Sequence, residues 1–398
     1  MPTLTRPALA RMFVPLGLVF LAVGISVALV IPFLSLFLST EVDAGPIQVT
    51  VMLVAGPLSG VVAGTLIGRL SDKRPIRRKL LIGAALFGLV GAGLLTVVRD
   101  YWAVFAIQVT ILAVAGSLFP QSFAYAREVL ERVMPGRSAM GITSLRTVFS
   151  IAWVAGPPLA AVLIEAGGFK LVYGAAAVLY GLAAALAAVS LPDVRPLDPS
   201  PDDVVPDDPV PVPGRAKLLL ITVIFTALQC PLTLGVQALP LYISRNLGGE
   251  VSDAGLVLGL CALLEIPLLL GLGWLSTRVP VRAVIIGGAA CGIVYFLIVF
   301  SAGEVWMLLA AQVMNALFIA AVSGPSISFV QDLLPAEPGR ATTLFTNTFP
   351  IGAMLAGPLF GVAQRFDYRL AYVMCAALCA VGLVLLMVMR TNVRPRVS

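Results

Sequence analysis

The segment GRLSDKRPIR at residues 68–77 returns about 205 positions later as GWLSTRVPVR at residues 273–282. Three further pairs of segments match in the same order and at nearly the same offset: LSLFLS (34–39) with LPLYIS (239–244), AREVL (126–130) with VQDLL (330–334), and AGPPLAAV (155–162) with AGPLFGVA (356–363). Self-similarity at one offset is the signature of an internal repeat. The sequence therefore predicts two related halves, 1–191 and 217–398.

Long apolar runs lie on both sides of each matched segment. A helix needs about 20 apolar residues to cross a bilayer, and twelve runs qualify: 12–38, 47–70, 80–98, 102–126, 142–164, 170–191, 217–244, 252–276, 282–301, 305–330, 341–363 and 369–390. Of the 398 residues, 59% are hydrophobic and 12% charged, whereas a soluble domain has about 25% charged residues. We predict an all-α membrane protein with twelve transmembrane helices in two pseudo-symmetric six-helix bundles.

The basic residues fix the expected orientation. Most of the 26 Lys and Arg residues fall in segments on the side of the membrane that carries both termini, and such an excess marks the cytoplasmic side. We therefore expect a multi-pass protein of the cytoplasmic membrane with both termini in the cytoplasm. The net charge of +6 reflects this topology and does not indicate binding to nucleic acid.

A polar stretch separates the two halves at residues 192–216. It is rich in Pro and Asp, a composition that cannot form a packed core and behaves as an extended linker. We predict a cytoplasmic tether, with a regulatory segment as the alternative. Parallel six-helix repeats are expected to place a substrate site between the halves, near the bilayer midplane.

Glu265 is the most informative polar residue within a span. It stands about half-way along the eighth apolar run, in LLEIPLLL, and ionisable residues at such depth usually serve function. The chain has no His, so Glu265 is the leading candidate to bind a proton or a sugar hydroxyl. The alternative is a structural hydrogen bond between two helices.

Other polar side chains within the spans suit a polyhydroxyl ligand. Amides both donate and accept hydrogen bonds, Arg146 can bind substrate oxygens or pair with Glu265 or Glu128, and Trp153 can stack on a sugar ring. The alternatives are helix–helix hydrogen bonds for the amides, a side chain reaching the interface for Arg146, and packing for Trp153. The candidate amides are Gln121, Gln237, Asn315 and Asn347.

Catalytic and metal-binding chemistry has little support in the sequence. The five cysteines all lie within apolar runs, where they resemble small packing residues. We find no metal-ligand spacing and no nucleophile with an adjacent base. We expect neither an enzyme nor a bound cofactor or metal.

The loop GRLSDKRPIRRK at residues 68–79 resembles the signature loop of the major facilitator superfamily, with Pro75 where a second Gly is usual. In that superfamily the Asp of the loop, here Asp72, holds the halves together in the outward-open state. The resemblance implies a cytoplasmic gate, formed by Gly68, Asp72, Lys73, Arg77, Arg78 and Glu128. The AGPP segment at 155–158 is similar to a Gly-Pro motif found in exporters of the superfamily.

Longer segments resemble the sugar efflux transporter family within that superfamily. They are PFLSLFLSTEV (32–42), FPQSFAYARE (119–128), SLRTVFSIAWVAGPPLA (144–160), LPLYIS (239–244), LLEIP (263–267), NALFI (315–319), QDLLP (331–335) and ATTLFTN (341–347). The resemblance implies export of lactose, glucose and related glycosides in exchange for protons, with Glu265 as the lead site.

Two other functions remain open. A multidrug/proton antiporter of the same fold would have a cavity lined by aromatic and apolar groups, and a non-transporting membrane sensor would bind substrate without flux. For the sugar exporter, which we favour, we expect a sugar or glycoside, protons and the lipid bilayer as partners, and a monomer.

Overall fold

The computed structural model describes residues 6–73, 76–133, 138–193, 214–334 and 338–389, and over these residues it contains helices and no β-strand. One short 3-10 helix, at Ile31–Phe33, connects the first two α-helices. The α-helices are α1 (Arg6–Val30), α2 (Leu34–Thr40), α3 (Pro46–Lys73), α4 (Arg77–Leu95), α5 (Tyr101–Val109), α6 (Ile111–Gly116), α7 (Leu118–Val133), α8 (Ser138–Ser190), α9 (Arg215–Asn246), α10 (Val251–Leu275), α11 (Val281–Ser301), α12 (Val305–Ser323), α13 (Pro325–Leu333), α14 (Pro338–Phe366) and α15 (Arg369–Val388).

Each predicted span coincides with one helix or with a short series of consecutive helices. The first span is α1 followed by α2, the fourth is α5 to α7, and the tenth is α12 with α13. The fifth and sixth spans are the two parts of α8, which is interrupted at Gly167 and Gly168. Gly168 has φ +70° and ψ −169°, a conformation that glycine adopts without steric cost. The break between these spans therefore falls at two consecutive glycines.

By length and composition, ten stretches of the described residues can cross a membrane. One of them, Gly141–Ser190, contains both parts of α8. The ten do not include α14, whose first half, RATTLFTNT at 340–348, is polar. These two differences account for ten stretches in place of the twelve predicted spans. The predicted all-α membrane fold is confirmed.

The chain divides into two compact units, Met1–Ala44 with Ala55–Ser200, and Gly45–Val54 with Pro201–Ser398. The start of α3 is thus grouped with the second unit, where the Thr50 hydroxyl donates to the Gly357 carbonyl at 3.4 Å. The proposed halves, 1–191 and 217–398, stay a prediction. Most of the predicted linker, residues 194–213, lies outside the described residues.

Helix neighbours in the first unit recur in the second. In the first unit α1 and α4 both pack on α8, and α4 packs on α6. In the second, α9 packs on α14 and α15, α11 packs on α15 and α12, and α10 packs on α12. The duplicated sequence therefore builds similar helix packing twice.

A pair of aromatic rings at equivalent positions connects the first and sixth spans of each repeat. Phe37 meets Tyr173 with ring centroids 4.9 Å apart, and Tyr242 meets Tyr372 at 4.9 Å, both edge to face. Phe37 and Tyr242 occupy equivalent positions of LSLFLS and LPLYIS. All four rings are buried, and such a pair contributes about 0.5–1.5 kcal/mol beyond burial.

In each repeat, an arginine at the start of the third span donates hydrogen bonds to the end of the sixth span. Arg78 on α4 and Arg282 on α11 donate to carbonyls that have no partner further along their own helices. The acceptors are Ala187 and Ala188 at the end of α8, and Leu386 and Met387 at the end of α15. Sequence matching had paired Arg282 with Arg77. The structural counterpart is Arg78, because α4 begins at Arg77 and α11 at Val281, one residue away from the sequence register.

Gly156 lets α8 approach α1 closely. A Cβ atom at this position would collide with the Ala28 side chain and lie 3.2 Å from its carbonyl carbon. This contact explains the Gly in the AGPP segment by packing alone.

We predict that Gly156→Ala lowers the stability of the folded protein by about 1–3 kcal/mol, because α1 and α8 must separate to admit the methyl group. Gly93→Ala on α4 is the matched control, since a Cβ atom there meets nothing within 4 Å. That change should raise stability by about 0.5–1 kcal/mol through helix propensity. Thermal unfolding in one detergent measures both, and shifts of the same sign would contradict the packing argument.

Candidate functional site

Glu265 lies in the second unit on α10, half-buried, one helical turn after Cys261. The two side chains are close enough to interact electrostatically. Cys261 in turn accepts a hydrogen bond from Asn315 Nδ2 on α12, at 3.2 Å. The structure therefore brings together two residues that the sequence singled out separately.

Gln312 extends this cluster towards α11. It is fully buried on α12, one turn before Asn315, and its Oε1 accepts from Asn315 Nδ2 at 3.0 Å. Its Nε2 donates to the Leu308 carbonyl at 2.9 Å and lies 3.4 Å from the Tyr295 hydroxyl. We call Glu265, Cys261, Asn315, Gln312 and Tyr295 the amide cluster; it connects α10, α12 and α11.

The other two candidate residues of the second unit lie on two further helices, α9 and α14. Gln237 is buried in α9. Asn347 is exposed on α14. Their roles in binding stay predictions.

In the first unit, Gln121 is buried on α7 and donates to the Ser71 hydroxyl at 3.4 Å. Its Oε1 is buried and accepts no hydrogen bond from the residues that the structure describes. Arg146 is exposed on α8, and Trp153 is half-buried two turns further along. Residues seven apart lie on one helix face, so Arg146 and Trp153 are available to the same ligand.

Two charged residues of the predicted gate form a buried ion pair. Arg77 Nε lies 3.1 Å from Glu128 Oε1, with 14% and 6% of the respective side chains exposed. Glu128 therefore pairs with Arg77 in this structure, and the pairing of Glu128 with Arg146 stays a prediction. The ion pair with Arg77 joins the start of α4 to α7.

The other gate residues differ in what they contact. Arg78 binds the end of α8 and also Asp193, at 3.2 Å. Gly68 has no atom within 4 Å of the place where a Cβ would stand. The side chains of Asp72 and Lys73 lie outside the described part of the structure, so their gating role stays a prediction.

Sequence reasoning named Glu265 and Asn315 but missed the residues that join them. Gln312 is not among the site residues predicted from the sequence, Cys261 is interpreted there as a packing residue, and Tyr295 is not singled out. The spacing in the sequence could have indicated these neighbours. Gln312 precedes Asn315 by three residues and Cys261 precedes Glu265 by four, and such spacings place both members of a pair on one helix face.

Comparison with solved structures shows which fold the chain has. A bacterial homolog of the human lysosomal transporter Spinster has TM-score 0.77 at 12% identity, covering 96% of this chain and 97% of that one. The nucleoside transporter NupG has TM-score 0.72 at 15% identity, covering 94% and 98%. At these identities the likeness establishes the fold alone, and the two proteins that share it are transporters.

Sequence comparison gives the family. The Major Facilitator Superfamily model matches residues 16–236 and 219–398. Sugar efflux transporter A of Escherichia coli K12 is 32% identical over 372 residues, covering 92% of this chain and 93% of that protein. Sugar efflux transporter A of Dickeya chrysanthemi is 32% identical over 361 residues, covering 90% of each. The chain belongs to the sugar efflux transporter family of the major facilitator superfamily, as the sequence motifs predicted.

We predict that Arg77→Gln and Glu128→Gln each destabilise the protein by about 3–5 kcal/mol, because each leaves one buried charge unpaired. The double variant should lose less stability than the sum of the losses in the two single variants. The matched control is Glu131→Gln, whose partner Arg127 is 72% exposed on the same helix, and its effect should stay within about 0.5 kcal/mol. Additive losses in a double-mutant cycle, measured by thermal unfolding, would show that the pair is not coupled.

Proposed function

We propose that this protein exports sugars or sugar-like glycosides across the cytoplasmic membrane by proton antiport with alternating access. The observation that carries this proposal is the amide cluster, in which Glu265 and Asn315 flank Cys261 on neighbouring helices. The names of the relatives support a sugar as the substrate.

Glu265 is the proposed proton-binding group. An ionisable side chain inside a membrane helix is costly and is usually retained for a pathway or a relay. With no His in the chain, proton exchange near neutral pH falls to a carboxylate. Asn315 supplies a neutral polar group one helix away, as binding of a sugar hydroxyl requires.

The further proposed sugar contacts are Gln121, Arg146, Trp153, Gln237 and Asn347. Arg146 can donate to sugar oxygens, and the exposed amide of Asn347 can donate or accept. The proposed cytoplasmic gate consists of Gly68, Asp72, Lys73, Arg77, Arg78 and Glu128. We place both termini in the cytoplasm, which the excess of basic residues on one side supports, and we propose a monomer as the working unit.

A multidrug/proton antiporter is the second candidate, and an aromatic cluster of the first unit favours it. Phe119 lies 4.4 Å from Phe149 and 4.9 Å from Phe123 between ring centroids, and Phe123 lies 4.7 Å from Phe20. Phe119 is 37% exposed. Aromatic faces attract lipophilic cations, and they also stack on sugar rings.

The deciding measurement is uptake of labelled lactose and glucose into inside-out vesicles that are acidic inside, with empty-vector vesicles as the control. Uptake that collapses with a protonophore is the expected result, because the outward proton flow would no longer drive the sugar inwards. Uptake of lipophilic cations in place of both sugars would favour the multidrug antiporter. Binding of a sugar without flux would identify a sensor.

We predict that Glu265→Gln abolishes the response of sugar uptake to the pH gradient, while exchange of labelled for unlabelled sugar without a gradient persists. The change keeps the size of the side chain and removes the group that titrates. Glu304→Gln is the matched control, since Glu304 is exposed ahead of α12. Gradient-driven uptake that survives in Glu265→Gln would remove Glu265 from the proton pathway.

A further inference from the structure

The hydrogen bonds of Gln312 have a fixed direction. The Leu308 carbonyl can only accept, so the group of Gln312 that lies 2.9 Å from it must be the Nε2 donor. Amide orientation is often ambiguous in protein structures, but a partner that only accepts removes the ambiguity. Gln312 Oε1 therefore points to Asn315.

The orientation of the Gln312 amide determines the orientation of the Asn315 amide. Because Gln312 Oε1 can only accept, the amide group of Asn315 that lies 3.0 Å from it must be Nδ2. The same Nδ2 also donates to Cys261 Sγ at 3.2 Å. Both hydrogens of the Asn315 amide are thus engaged, and its Oδ1 accepts no hydrogen bond that the described residues provide.

We propose that Gln312 is a positioning residue for substrate selection: it holds Asn315 with Oδ1 presented as an acceptor, so that the site selects a sugar hydroxyl that donates a hydrogen bond. The inference rests on the proposed sugar export and adds a chemical rule to it. At the position that meets Asn315, the substrate needs an O–H donor, and a group that only accepts is rejected.

The surroundings of Asn315 agree with this rule. Glu265, one turn from Cys261 on the facing helix, carries carboxylate oxygens that only accept when ionised. Gln312 itself is fully buried in this structure, so we expect its effect on substrate to pass through Asn315. For the buried amide of Gln312, losing one hydrogen bond is costly. This cost keeps the Gln312 amide in the orientation seen in the structure.

Deoxy and deoxyfluoro sugars test the rule directly. Replacing O–H by C–H removes both donor and acceptor, whereas C–F keeps a weak acceptor and removes the donor. For the one hydroxyl that Asn315 binds, the wild-type protein should transport the deoxy and fluoro forms of glucose with kcat/KM reduced equally, by about fivefold for one hydrogen bond.

Gln312→Met keeps the length of the side chain and frees the Asn315 amide to turn. We expect the discrimination against the fluoro sugar to shrink several-fold in this variant, because Nδ2 can now face the fluorine. Gln229→Met, which also removes a buried glutamine, is the matched control and should keep the wild-type ratio. A Gln312→Met protein that loses all sugars by one common factor would overturn the proposal, since a purely structural role acts equally on each substrate.

A second measurement separates this proposal from the proposed function. Alkylation of Cys261 by a small maleimide, followed at the Cys261 peptide by mass spectrometry, should accelerate several-fold in Gln312→Met, with Cys291 as the internal reference. An unchanged rate at Cys261 would overturn the positioning role. If the wild-type protein carries no sugar while the rate at Cys261 still rises, the positioning of Asn315 stands and the sugar hydroxyl as its ligand is overturned.

Discussion

The hydrocarbon interior of a bilayer offers no hydrogen-bond partner, so a polar side chain within a span must be satisfied inside the protein. This constraint accounts for the amide cluster, where each donor of Gln312 and Asn315 meets an acceptor on the same or a neighbouring helix. It also accounts for Arg78 and Arg282, which bind the last carbonyls of α8 and α15. Polar contacts thereby fix how the helices of each unit are rotated and where they end.

The duplicated halves share a scaffold and differ where chemistry is expected. The ring pairs and the arginine contacts recur in both units. In the register of the matched loops, however, Cys261 and Glu265 on α10 correspond to Gly56 and Gly60 on α3. Gln108 corresponds to Gln312 but lies against Gly56, 3.8 Å from a Cβ built there. The second unit thus has a thiol and a carboxylate where the first has two glycines, and the proposed proton-binding group has no carboxylate counterpart in the first unit.

Sequence alone was sufficient to predict the fold, because a membrane helix appears as a long apolar run and the repeat appears as similar segments in the same order. It also singled out Glu265 and Asn315 as candidates, since a polar residue in a long apolar run is conspicuous. It could not find their connection, because that depends on the rotation of α10 and α12 about their axes. Tyr295 escaped for a related reason: a tyrosine is common in apolar helices, and its hydroxyl acquires meaning only from the helix opposite.

The cluster suggests how coupling arises without a separate device. In the proposed antiport, proton and sugar must exclude one another, and this follows if both use one wall of the site. With Glu265 ionised, that wall presents carboxylate oxygens and the Asn315 Oδ1, all acceptors that suit sugar hydroxyls. Protonation turns one carboxylate oxygen into a donor and removes a charge whose influence is strong at low dielectric. The wall then no longer complements the sugar, so binding of the proton favours release, and the fixed direction of Asn315 is what makes the two states different.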